Sequence, residues 1–81
     1  MKIYRVLQGN FTASGCGDYF EQGRFYNLET AKMCMDSIYD DTKGYNRYPY
    51  GYLETVIEEY DDQYEDDYYY PEWIESKRYY Y

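Results

Sequence analysis

Histidine is absent from the 81-residue chain. That removes the usual general base at neutral pH, any Ser-His-Asp triad and any imidazole metal ligand. Cysteine occurs only twice, at Cys16 and Cys34, and a disulfide between them is not expected, because nothing implies export. No apolar run approaches the roughly 20 residues that cross a bilayer. The opening Met1-Lys2-Ile3-Tyr4-Arg5-Val6-Leu7 carries two charges and no long apolar stretch, so no signal peptide is expected. A chain this short holds one small domain and no second core.

What is present is tyrosine and negative charge. Sixteen residues are tyrosine, and 16 acids against 8 bases give a net charge of −8. The charge is unevenly distributed. Residues 1–53 hold six acids (Asp18, Glu21, Glu29, Asp36, Asp40, Asp41) and six bases (Lys2, Arg5, Arg24, Lys32, Lys43, Arg47). Residues 54–81 hold ten acids against Lys77 and Arg78, which accounts for the whole excess. Such asymmetry suggests an electrostatic partner surface or an acidic tail. The densest stretch is Glu58, Glu59, Asp61, Asp62, Glu65, Asp66 and Asp67. Disordered acidic tails are poor in aromatics, yet this one is interleaved with Tyr60, Tyr64, Tyr68, Tyr69 and Tyr70, followed by Trp73.

The alternation over residues 3–8 predicts a strand, with Ile3, Arg5 and Leu7 on one face and Tyr4, Val6 and Gln8 on the other. Gly9, Gly15 and Gly17 mark a loop, and residues 18–26 read as a second strand with a bulge near Gly23. Asn27 is a good N-cap, with Glu29 in the first turn. Leu28, Ala31, Cys34, Met35 and Ile38 then form one helical stripe, and Met33 falls opposite it. The helix is expected to end between Tyr39 and Asp41. Residues 40–51 read as a loop with aromatic rungs. Residues 52–60 alternate as a third strand, with Leu53, Thr55 and Ile57 against Tyr52, Val56 and Tyr60. The expected fold is α+β: a three-stranded antiparallel sheet with one helix on one face, ordered ββαβ, spanning residues 1–60. Residues 61–81 form an acidic, tyrosine-rich extension that docks or makes a short helix over Pro71–Glu75. Leu28, Ala31, Met35 and Ile38 should pack on Leu53 and Ile57. The thin core suggests that a Tyr4, Val6, Tyr52, Val56 and Tyr60 face is covered by the tail or by a second copy.

The candidate chemistry is weak. Cys34 lies on the core stripe, where cysteine behaves as a small hydrophobe. Cys16 sits in Gly15-Cys16-Gly17 without a histidine to activate it. The acidic stretch lacks the glycine and closing glutamate of an EF-hand. No metal, cofactor or catalytic residue is expected, and the chain reads as a binding protein. Direct nucleic-acid binding is disfavoured, because phosphate attraction needs lysine and arginine. The inverse is more informative. Seven acids over ten residues give about one charge per 2 Å if helical and one per 5 Å if extended. Duplex DNA carries one per ~1.7 Å of axis, or per ~3.4 Å along a strand. The acids can therefore imitate phosphates, and the tyrosines base faces. The bland reading is a solvated acidic tail that keeps a tyrosine-rich chain in solution.

In overall composition and in the segment 54–75, the chain resembles the small acidic inhibitors encoded by phages and mobile elements, of the anti-CRISPR and anti-restriction type. The resemblance is by composition and not by motif, so it carries over no functional residues. It implies a cytoplasmic protein of the bacterial host cell whose partner is the basic nucleic-acid-binding surface of a CRISPR effector or restriction nuclease. Glu58, Glu59, Asp61, Asp62, Glu65, Asp66 and Asp67 would meet the basic groups, with Tyr64, Tyr68, Tyr69 and Trp73 as anchors. The alternative is a small phage or plasmid accessory module that binds through its tyrosine-rich sheet face.

Overall fold

The structure, a computed structural model, describes residues 1–42, 48–61 and 72–80. Its elements are β1 (Lys2–Phe11), β2 (Phe20–Phe25), α1 (Leu28–Thr42), β3 (Tyr52–Asp61) and β4 (Glu72–Tyr80). The strands form one antiparallel sheet in the order β2-β1-β3-β4. Because β2 and β3 both run against β1, which lies between them, they point in the same direction, and α1 crosses over β1 to join them.

The helix begins where the sequence puts it. Asn27 Oδ1 accepts from the amides of Glu29 at 2.8 Å and Thr30 at 3.2 Å, which satisfies two donors of the first turn. Ala31 and Met35 are buried, Leu28, Cys34 and Ile38 pack around them, and Met33 is exposed. At the other end, Gln8 donates to Thr42 Oγ1 at 2.8 Å and to Thr55 Oγ1 at 3.0 Å. Thr42 in turn donates to the Ile38 carbonyl at 2.6 Å. This polar chain ties the helix end to both central strands and lets Thr55 be fully buried without an orphaned hydroxyl.

The face of β1 turned to the helix is the opposite of the one expected to form the core. The register pairs Tyr4 with Glu59, Val6 with Ile57 and Gln8 with Thr55, and Val6, Ala31, Met35 and Ile57 form the helix-side cluster. Ile3, Arg5, Leu7 and Phe11 therefore lie on the open face beside Tyr60, Glu58, Val56 and Tyr52. The reason is Arg5: on this face its guanidinium pairs with Glu58 and stays partly exposed, which the space under a helix would not allow. The expected Tyr4, Val6, Tyr52, Val56 and Tyr60 face does not exist as one surface, since Tyr4 and Val6 face the helix and the other three do not.

The sheet has four strands and not three. Glu72–Glu75, expected within a short helix, belongs to β4 and pairs with the free edge of β3. A helix of five residues is marginal alone, whereas Trp73, Ile74 and Tyr79 suit a pleated surface. The second strand is shorter than expected, and its irregularity opposite Val6 and Leu7 leaves Gln22 as the extra residue next to Gly23. At the entry to β3, Tyr48–Gly51 is a turn closed by Gly51 N to Tyr48 O at 3.1 Å. Gly51 is required there, because a Cβ would lie 2.0 Å from the Phe11 carbonyl oxygen.

Candidate interaction surfaces

Successive strand residues point to opposite faces, so β3 cannot present its acids as one row. Glu58 is buried on the open face, where Arg5 Nε donates to it at 2.9 Å and the Arg5 guanidinium reaches the same oxygen. Glu59, on the other side, meets Lys2 Nζ at 3.1 Å. Asp61 accepts from the Met1 amine at 3.0 Å. Three of the seven nominated acids are thus engaged within the sheet. Asp62, Tyr64, Glu65, Asp66, Asp67, Tyr68 and Tyr69 lie outside the described residues. Trp73 is 53% exposed on the open face, and its ring meets Tyr19 edge-on at 4.9 Å between centroids.

That ring pair is the centre of a second surface. Tyr19 approaches from the β2 edge and Trp73 from β4, so together they arch over the central strands, where Leu7 and Val56 are buried without a helix. Tyr19 also lies 4.8 Å from Phe11, which stacks on Tyr52 at 5.2 Å, and Tyr80 follows at 5.8 Å. Glu54, 3% exposed, accepts from the Tyr19 hydroxyl at 2.5 Å and from the Arg78 guanidinium. Arg78 covers the Tyr52 ring at 4.3 Å and donates to the Tyr80 hydroxyl at 3.1 Å. Burial first, and then the hydrogen bond to Glu54, push the Tyr19 phenol well above its ordinary range. The bonds to Tyr80 and Glu54 hold Arg78 still more firmly charged.

Sequence reasoning missed Glu54, Tyr19, Arg5 and Arg78 as members of one surface. The only local signal was the placement of Arg5 on an otherwise apolar strand face, which demanded a partner from elsewhere in the chain.

Among the described residues there is no enclosed cavity and no cluster of three or more potential metal ligands. Both cysteines are free thiols. Burial raises the Cys34 thiol, which makes it a poorer nucleophile. Cys16 is exposed in the loop, with its amide donating to Thr12 Oγ1 at 3.1 Å.

No family model, no curated protein and no solved structure matched this chain.

Proposed function

We propose that the protein acts stoichiometrically, as an inhibitor that offers a carboxylate-rich, tyrosine-flanked surface to the basic nucleic-acid-binding cleft of a host defence nuclease. One observation supports this reading above the others. All six described lysine and arginine side chains are held by carboxylates of the same chain: Lys2, Arg5, Arg24, Lys32, Lys77 and Arg78. Among the described residues the lysine and arginine charge is used internally, and the chain's surplus is negative. Such a surface repels phosphate and attracts what binds phosphate.

Because Glu58, Glu59 and Asp61 already have partners, the reading rests on Asp62, Glu65, Asp66 and Asp67. These lie between the end of β3 at Asp61 and the start of β4 at Glu72. Exposed charge pairs contribute only ~0.2–1 kcal/mol each, so several pairs and aromatic anchors such as Trp73 must act together.

The test is affinity capture from bacterial lysate with the intact chain, followed by competition on the captured protein. A nuclease or other DNA-binding protein should be recovered, and DNA or guide RNA should fail to bind while the inhibitor is bound. The variant with Asp62→Asn, Glu65→Gln, Asp66→Asn and Asp67→Asn should lose most of its affinity. Full inhibition by that variant, or simultaneous binding of nucleic acid and protein, sinks the reading. The exposed Trp73 and Tyr80 favour a second one, an accessory protein-interaction module that uses the open sheet face.

A further inference from the structure

β2 stands at one end of the sheet, so one side of its backbone has no strand beside it among the described residues. Such an edge is a template for another strand. Its sequence is Phe20-Glu21-Gln22-Gly23-Arg24-Phe25. The irregularity against β1 leaves Gln22 as the extra residue, so six residues fill five strand positions, with Gln22 and Gly23 sharing the central one. Phe20 pairs with Gln8 and Phe25 with Tyr4, which puts both rings on the helix side. Glu21 pairs with Leu7 and Arg24 with Arg5, which puts both charges on the open side. In a regular strand, residues three or five apart would point to opposite faces. The bulge brings each of these pairs onto one face and makes the strand symmetric about its centre.

These groups are presented to solvent. Phe20 is 66% exposed. Glu21 and Arg24, joined at 2.8 Å, are both exposed. A Cβ on Gly23 would lie 2.9 Å from the Phe25 ring, so that ring leans over the central glycine.

We propose that β2 pairs antiparallel with β2 of a second copy, joining two four-stranded sheets edge to edge. In the two-fold register centred on Gln22 and Gly23, Phe20 of each copy lies opposite Phe25 of the other, and Glu21 opposite Arg24. Side chains directly opposed across antiparallel strands have Cβ atoms about 4.5–5.5 Å apart, where aromatic pairs and opposite charges are favourable. A two-fold contact demands such self-complementarity. The segment holds one acid and one base, so two chains of net charge −8 can meet there without local repulsion. The other edge, β4, lacks this symmetry. Its irregularity falls near one end, between Trp73 and Glu75, so a two-fold register along the whole strand would set a bulge against regular backbone. Glu72, Glu75, Lys77 and Arg78 also blunt it. The β2 contact is six residues a side, against about 20–30 in a standard interface. Main-chain hydrogen bonds therefore carry it, and the dimer is weak.

Sedimentation equilibrium of the full chain, from roughly 10 µM to 1 mM, tests the proposal. The expected mass rises towards twice the 10.0 kDa of the chain. Phe20→Lys should weaken the dimer by roughly tenfold or more, while Tyr80→Lys, at an exposed position on β4, should leave it intact. Glu21→Arg makes both charged positions of β2 basic, and Arg24→Glu makes both acidic. Each variant should stay monomeric alone, and an equimolar mixture of the two should recover the doubled mass. If either charge variant loses its folded circular-dichroism spectrum, Phe20→Lys carries the comparison. A parent chain that stays monomeric throughout overturns the proposal. So does a dimer indifferent to Phe20→Lys, or one that Tyr80→Lys abolishes. None of these results bears on whether the acidic segment competes with nucleic acid, which is read on the captured target.

Discussion

Single residues carry unusual weight in so thin a core. Glu54 is almost fully buried, and a buried carboxylate survives only when its lone pairs are occupied. Tyr19 and Arg78 do this from opposite sides. The raised Tyr19 phenol fixes the direction of a pH effect. Its folded-state value lies above the ordinary 10.0, so its contribution is complete below about pH 10 and is lost as pH climbs beyond it. Thermal melts from about pH 9 to 11 should therefore show a steeper loss of stability for the parent than for Tyr19→Phe. At neutral pH, Tyr19→Phe should cost about 1 kcal/mol for the missing hydrogen bond. Parallel pH curves for the two proteins would contradict the assignment. Tyr50 makes the opposite case. It has a φ of +63° and is 83% exposed, so it holds a left-handed conformation with little burial in return. Pro49 precedes it, as in a type II turn. Tyr50→Asn should stabilise by up to about 1 kcal/mol, read as a higher denaturant midpoint.

At the scale of elements, the helix and the sheet depend on each other through few side chains. The helix buries only Ala31 and Met35 completely, and these sit on Val6 and Ile57. Met35→Asp would place an unpaired charge there and should unfold the protein. Met33→Asp, two residues away and 72% exposed, should melt within about 0.5 kcal/mol of the parent. Equal melting of both variants would mean that the helix is rotated from its described register. The last strand shows how an element can be made by its neighbour. Without β4, the far edge of β3 would present unpaired backbone groups. Glu75 and Lys77 then fasten β4 to the helix through Lys32 and Asp36.

For the whole molecule, charge decides what can approach. The described cations are neutralised within the chain, so association with a basic partner should be fast at low salt. It should slow steeply as the Debye length falls from ~10 Å at 0.1 M towards ~3 Å at 1 M. Stopped-flow association with the captured target checks this. A rate insensitive to salt would point instead to the aromatic sheet face as the contact.

Local chemistry determined what could be read directly. The Asn27 cap, the stripe from Leu28 to Ile38 and the alternation of residues 3–8 and 52–60 depend on neighbours a few residues apart, and all reappear in α1, β1 and β3. The charge asymmetry is likewise a property of the chain itself. Period-two alternation, however, says which residues share a face and not which face is inside. That choice came from pairing residues 51 positions apart, as in Val6 with Ile57. The fate of the acids was decided the same way. Glu58 looked like part of a free anionic row until the register set Arg5 opposite it, 53 positions away. Residues 72–75 became strand because β3 offered an unpaired edge, and no local propensity could announce that. Tertiary pairing assigns each residue its partner, and in a strongly charged chain the partner decides whether a carboxylate serves the fold or remains available to another molecule.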